Sequence, residues 1–265
     1  MNPTVIGSFT IFVYLSSTLL IVKERNALSR KPLPLWLALF AAGAHGAYLF
    51  KTSLQSGHFI FNFFNSASLI SLIIVLLLLT ASIKLRVEKL GIILFPISAL
   101  MLGLELSIPE ESHLQPNYNW QMDLHILSSI IAYSLLNIAA VQAILLAVQD
   151  SQLRSHHPQS LIRSLPPLQT MESLLFQMIT IGLLFLSISL GSGFLFIEDL
   201  FAQHLVHKTV LSILAWIVFS ALLIGRLRYG WRGQTAIRWT LIGFLFLLLA
   251  YFGSKLVLEI ILDKV

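Results

Sequence analysis

The chain has 265 residues, of which 57% are hydrophobic and 11% charged. Soluble domains carry about 25% charged residues, so this chain cannot cover a water-facing surface, and lipid must be its solvent. It has no cysteine, which excludes disulfides, thiolate metal sites, iron–sulfur clusters and thiol–disulfide chemistry by the chain itself.

A spanning helix needs about 20 mostly apolar residues, and eight stretches qualify. The first, 3–22, lacks a basic leader and a small-residue cleavage site before Lys23, so it reads as a retained span rather than a signal peptide. The second, 33–51, holds His45 among Gly and Ala. Polar groups at membrane depth are costly and face the bundle interior, so His45 is either an interhelical hydrogen-bonding residue or a ligand. The third, 59–83, follows His58, with Asn62 and Asn65 at i+4 and i+7. That inward polar stripe serves as packing glue or as the wall of a site. The fourth, 90–107, carries a single carboxylate, Glu105, near its end.

A loop at 108–122 with Glu110, Glu111 and the solvated His113, and no Lys or Arg, leads to the fifth span, 123–149. It opens on Asp123-Leu124-His125. The residues on the same helical face as His125 are Ser128, Ser129 and Ala132. Small side chains there leave room for a flat macrocycle beside the imidazole, or serve close helix packing. The loop at 150–170 is the longest internal connection. It carries His156, His157 and three prolines, and reads as a hinge within one domain spanning 1–265.

The sixth span, 171–197, contains Gly191-Ser192-Gly193, a packing or kink site. The seventh, 208–225, follows His204 and His207, of which His207 lies at the membrane edge. The eighth, 238–260, places Lys255 and Glu259 four residues apart, as a surface ion pair or with Lys255 reaching an anionic group.

The charges orient these spans. Thirteen of the 17 Lys and Arg fall in alternate loops: Lys23, Arg25, Arg30 and Lys31; Lys84, Arg86 and Lys89; Arg154 and Arg163; Arg226, Arg228, Arg232 and Arg238. Cytoplasmic loops carry this excess, so both termini face outward. The expected fold is all-α, a polytopic bundle of eight transmembrane helices in the lipid bilayer. His45, His58, His113, His125, His204 and His207 then share the outer side, and His156 and His157 lie opposite. The net charge of +5 follows from orientation and contact with anionic lipid, and calls for no nucleic acid. No zinc motif and no catalytic constellation is present, so the chain is not expected to be an enzyme.

Several motifs in the second half go beyond composition. They are Leu124-His125 with Ala132-Tyr133; His207-Lys208-Thr209-Val210-Leu211-Ser212 with Ala215-Trp216; Gly230-Trp231-Arg232-Gly233; and Tyr251-Phe252-Gly253-Ser254-Lys255. Together they resemble the cytochrome c assembly protein family of the CcsA/HemX type, in its short inner-membrane branch. The likeness is good over about residues 120–260 and looser over the first four spans. It implies a haem-handling protein of the bacterial inner (plasma) membrane. Its larger relatives move haem outward for attachment to apocytochrome c, with a histidine at the position of His125 and another before the penultimate spans as candidate ligands.

The chain departs from those larger members in two ways. Its external loop from Glu198 to Val206 has no tryptophan, and no histidine follows His207. The expectation is therefore an accessory role with non-covalent haem b. His125 and His207 are the candidate axial ligands, His45 the intramembrane alternative, and Lys255 a partner for a propionate. Expected partners are haem, cytochrome c assembly components, or a cytoplasmic protein docked at Arg226–Arg238. Two other readings compete. One is a small-solute transporter lined by Asn62, Asn65 and Asn137. The other is a regulatory membrane protein without a cofactor.

Overall fold

A computed structural model describes residues 3–23, 32–56, 63–84, 87–108, 120–155, 166–196 and 206–253. Among these, every regular element is helical: α1 (Pro3–Lys23), α2 (Leu33–Ser56), α3 (Phe63–Lys84), α4 (Gly91–Ser107), α5 (Trp120–Arg154), α6 (Leu168–Phe196), α7 (Val206–Tyr229) and α8 (Gln234–Leu248). A 3-10 turn, Glu88–Leu90, leads into α4, and a π-helical turn, Leu249–Gly253, continues α8. Eight helical segments are long and apolar enough to cross a membrane, as the sequence leads one to expect. Lipid offers no hydrogen bonds, so a spanning backbone must satisfy itself within helices. Asn62, His58, His113, His156, His157, His204, Lys255 and Glu259 lie outside the described residues.

The observed helices outrun the apolar stretches at several ends. α5 continues to Arg154, α7 to Tyr229, and α8 starts at Gln234. A hydropathy pattern ends where the hydrocarbon ends, whereas helical hydrogen bonding continues past it. The extensions use polar partners: Gln234 Nε2 donates to Asp150 Oδ2 at 2.7 Å.

The chain divides into two compact units, 1–114 with 152–167, and 115–151 with 168–265. In the first, Tyr14 is fully buried and stacks with Phe95 at 6.1 Å between centroids. Ser17 Oγ donates to the Pro34 carbonyl at 2.7 Å, tying α1 to α2. Gly7 lets α1 approach α4, since a Cβ there would lie 2.7 Å from a Leu106 methyl carbon. Lys89 is buried, and its Nζ donates to the Ile21 carbonyl at 3.1 Å in the last turn of α1. A cation at a helix C-terminus meets unsatisfied carbonyls and the negative end of the dipole. Lys89→Met should cost about 1 kcal/mol and raise amide hydrogen exchange in the last turn of α1. Unchanged exchange there would show that the ammonium does not hold that turn.

In the second unit, Gln142 Nε2 donates to the Met171 carbonyl at 2.9 Å, tying α5 to α6. Gly182 of α6 accommodates Leu136 of α5, and Gly243 of α8 accommodates Phe219 of α7. Small residues let helices approach closely where lipid supplies no hydrophobic drive.

Candidate functional site

His125 lies in the second turn of α5, part-buried against α6. Its Nδ1 is 2.9 Å from the Ser189 backbone carbonyl and 3.3 Å from Ser192 Oγ. A carbonyl can only accept, so Nδ1 must carry the proton, and in the neutral ring Nε2 then bears the lone pair. No described residue hydrogen-bonds Nε2. A backbone carbonyl behind Nδ1 is how ligating histidines are commonly oriented.

Serines surround this imidazole. Ser129 Oγ donates to the His125 carbonyl at 2.6 Å and is 2.6 Å from Ser189 Oγ. Ser128 Oγ donates to the Leu124 carbonyl at 2.7 Å, and Ser192 Oγ to the Ser189 carbonyl at 2.9 Å. Ser129 on the small face of α5 thus packs on α6, while Ser128 is buried and bonds back to its own helix. Gly193 is buried beside Ser192, while Gly191 faces open space. The hydroxyls return to helix carbonyls, which satisfies them without solvent.

His207 is exposed, in the first turn of α7, at the same end of this unit as His125. No hydrogen bond or ion pair joins the two among the described residues. Trp216 Nε1 donates to Ser187 Oγ at 2.9 Å, which sets α7 against α6. Counting residues from that bond and from Ser189, at 1.5 Å per residue, puts His207 about 10 Å nearer the bundle end than His125. His125 is therefore recessed and His207 stands at the rim. Lys255 lies beyond the described residues.

Two other motif residues meet here. Tyr133, two turns further along α5, faces Tyr251 in the π-helical turn at 5.4 Å between ring centroids. Phe244 of α8 approaches the same ring at 6.1 Å. π-turns inside helices are rare and concentrate at functional sites.

His45 is fully buried in the first unit. Its Nε2 is 2.8 Å from Ser68 Oγ and its Nδ1 is 3.4 Å from Tyr14 Oη. Both ring nitrogens face hydroxyls on neighbouring helices, the interhelical arrangement that its Gly and Ala surroundings allow. Asn65 Nδ2 donates to Glu105 Oε1 at 3.0 Å, so this part of the polar stripe joins α3 to α4. Asn137 is part-buried on α5.

At the opposite end of the second unit, the motif Gly230-Trp231-Arg232-Gly233 closes on Glu172 of α6. Glu172 Oε1 accepts from Arg226 Nη1 at 2.7 Å and from Arg232 Nε at 3.0 Å, and Oε2 accepts from the Gly233 N–H at 3.2 Å. Arg226 also lies over the Phe176 ring, 4.6 Å from its centroid, and donates to the Trp231 carbonyl at 3.2 Å. Gly230 (φ 66°) ends α7 in the left-handed conformation, its N–H on the Arg226 carbonyl, and Gly233 (φ 53°, ψ −124°) opens α8. Both backbones suit glycine and strain other residues. Arg226 and Arg232 are thus engaged within the chain, while Arg228 and Arg238 are exposed.

Sequence reasoning did not find Ser189 or Glu172. The run Ser187-Ile188-Ser189-Leu190-Gly191-Ser192 in an apolar span is a usable signal, because intramembrane serines seek partners. Glu172 gives no such signal, since its partners are 54 and 60 residues away. Among the described residues, no group of three or more His, Asp or Glu could hold a metal ion together.

The family model described as "Cytochrome C assembly protein" matches residues 34–262. The chain is 34% identical to Inner membrane protein YpjD of Escherichia coli (strain K12) over 199 residues, 74% of each chain. It is 29% identical to Cytochrome c biogenesis protein CcsA of Chlamydomonas reinhardtii over 218 residues, 77% of this chain and 60% of that one. It is 22% identical to Protein HemX of Brevibacillus brevis over 256 residues, 94% of each. No solved structure matches the chain.

Proposed function

Because the chain belongs to the cytochrome C assembly protein family, we propose that it is a haem-binding multi-pass protein of the bacterial inner membrane. It handles haem b, bound non-covalently, at the outer face as an accessory to cytochrome c assembly. One observation carries this reading: the Ser189 carbonyl holds the His125 proton on Nδ1, so the lone pair lies on Nε2, which no described residue engages. That donor chemistry fits an axial ligand of haem iron, whose potential depends on ligand identity and hydrogen bonding. His207, at the rim of the same end, is the proposed second ligand. Lys255 is proposed to reach a propionate.

The residues of the chain do four things in this reading. Ser189 orients His125. Ser128, Ser129 and Ser192 fill the helix contact around it without offering a charge. The Tyr133–Tyr251 pair underlies the site with apolar ring surface. The Glu172 cluster fixes the far ends of α6, α7 and α8. When bound, haem supplies the redox-active iron.

The orientation follows from the excess of Lys and Arg in alternate loops, which puts His125 on the outer side. YpjD is by its name an inner membrane protein, in keeping with this location. Because the chain has no cysteine, a single cysteine introduced at Ser107 or at Arg228 reports sidedness without background. Labelling of Arg228→Cys, but not Ser107→Cys, by an impermeant thiol reagent in intact cells would reverse the orientation.

The ligand assignment is tested with detergent-purified protein titrated with haem b. The wild type should give a shifted, saturable Soret band. His125→Ala should weaken binding more than about 10-fold, and His207→Ala should change the iron coordination spectrum. An unaltered titration in the His125→Ala, His207→Ala double variant sinks the assignment.

A further inference from the structure

The first unit contains an ionisable group that the haem reading does not use. Glu105 lies two residues before the end of α4, on a span with no other acid or base inside it. Asn65 Nδ2 donates to its Oε1 at 3.0 Å. Its Oε2 is buried and has no hydrogen-bond partner among the described residues. Ser68 of α3 and Tyr48 of α2 border the same carboxyl group without a well-formed bond to Oε2.

Behind Ser68 the polar chain continues. Ser68 Oγ meets His45 Nε2 at 2.8 Å, and His45 Nδ1 faces Tyr14 Oη at 3.4 Å. From α1, Gly7 and Ile11 pack against α4 here and bring no titratable group. Lys51, one turn past Tyr48 on α2, is the cation nearest in sequence to these bordering residues. Lys23 and Lys89 lie at the other end of the unit. No described cation forms an ion pair with Glu105.

A buried carboxylate oxygen without a donor is costly in a membrane. A proton on Oε2 removes the charge, and the Ser68 and Tyr48 hydroxyls that border the carboxyl group can accept as well as donate. Glu105 stands within one helical turn of the end of α4, and Asn65 within one turn of the start of α3.

We propose that Glu105 is a proton-binding site of the first unit, an exchangeable carboxyl group set among Asn65, Ser68 and Tyr48. Its reaction is uptake of one proton from water at Oε2, converting carboxylate to carboxylic acid, with no electron transferred. The proposal does not depend on haem binding.

The test uses the full chain in lipid nanodiscs. A carbodiimide that modifies protonated carboxyl groups in apolar surroundings should label Glu105, read by mass spectrometry of the peptide. Labelling should fall as pH rises and be indifferent to sodium ions at constant pH. Glu105→Gln should abolish it while leaving the melting profile near wild type. Asn65→Leu, which removes a donor that favours the charged form, should extend labelling to higher pH. Infrared difference spectra of wild type minus Glu105→Gln should contain the carbonyl stretch of a protonated carboxyl. Absence of that stretch at every pH overturns the proposal. Suppression of labelling by sodium also overturns it, by making the site a cation site instead.

Discussion

Glu172→Ala is expected to lower the stability of the second unit by about 2–3 kcal/mol. Removing one partner of a buried ion pair costs about 3–5 kcal/mol, because the other charge is left without compensation. The value is set lower here because the Arg226 and Arg232 side chains are 31% and 53% exposed, and water screens what remains. Glu172 itself is 10% exposed and engages two guanidinium groups and the Gly233 N–H at once. Its carboxylate sits at the N-terminus of α8, where a negative charge meets the positive end of the helix dipole. Thermal unfolding in detergent, followed by loss of monodispersity, measures the loss. Trypsin should also begin to cut at Arg226 and Arg232. Glu172→Gln, which keeps an acceptor but loses the charge, should fall between wild type and Glu172→Ala. A Glu172→Ala variant that melts with the wild type would show that the cluster is incidental.

Gly225→Ala should destabilise by about 2 kcal/mol, against the direction set by helix propensity. In an exposed helix, alanine for glycine gains up to about 1 kcal/mol. Here a Cβ would overlap the Trp231 indole. That ring cannot retreat freely: it stacks with Tyr229 at 6.4 Å and lies tilted against Trp239 at 5.2 Å, and the Trp231 backbone N–H donates to the Gly225 carbonyl at 3.2 Å. The double variant Gly225→Ala, Trp231→Leu should recover part of the loss, because the overlap is then gone. Additive losses in that cycle would mean that the two residues are not coupled.

Both predictions concern the motif Gly230-Trp231-Arg232-Gly233, which the sequence presents as a family resemblance and as a candidate docking loop. In the structure these four residues act together. The two glycines supply positive φ, the tryptophan fills the space that Gly225 leaves, and the arginine reaches the Glu172 carboxylate. Arg226 and Arg232 are held by Glu172, although Arg232 stays half exposed, and the Arg228 and Arg238 side chains are exposed as well.

His45 and His125 look alike in the sequence, each an imidazole among small residues near one end of a span. They differ in what stands behind the ring. His45 faces two hydroxyls, which can each donate or accept. His125 faces a backbone carbonyl, which only accepts and so leaves the other nitrogen available. The carbonyl belongs to Ser189, 64 residues away, and no local pattern around His125 points to it. The small face of Ser128, Ser129 and Ala132 was legible as a face, but not which of its two uses applies.

The sequence by itself determined the class of the molecule. Apolar stretches of spanning length permit only helices in lipid, because every backbone group must find its partner within the segment. Number, order and approximate bounds of the eight helices follow from that local rule, and so does the family through its motifs. The tertiary structure decided the partners: Glu172 for two arginines, Ser189 for His125, Asn65 for Glu105, and the division into two compact units. Those pairings rest on helices packed side by side, so they join residues 40 to 64 positions apart. Helix formation is a near-neighbour property that hydropathy records. Which polar atom lies across a helix interface depends on the rotation and depth of both helices, and composition carries neither.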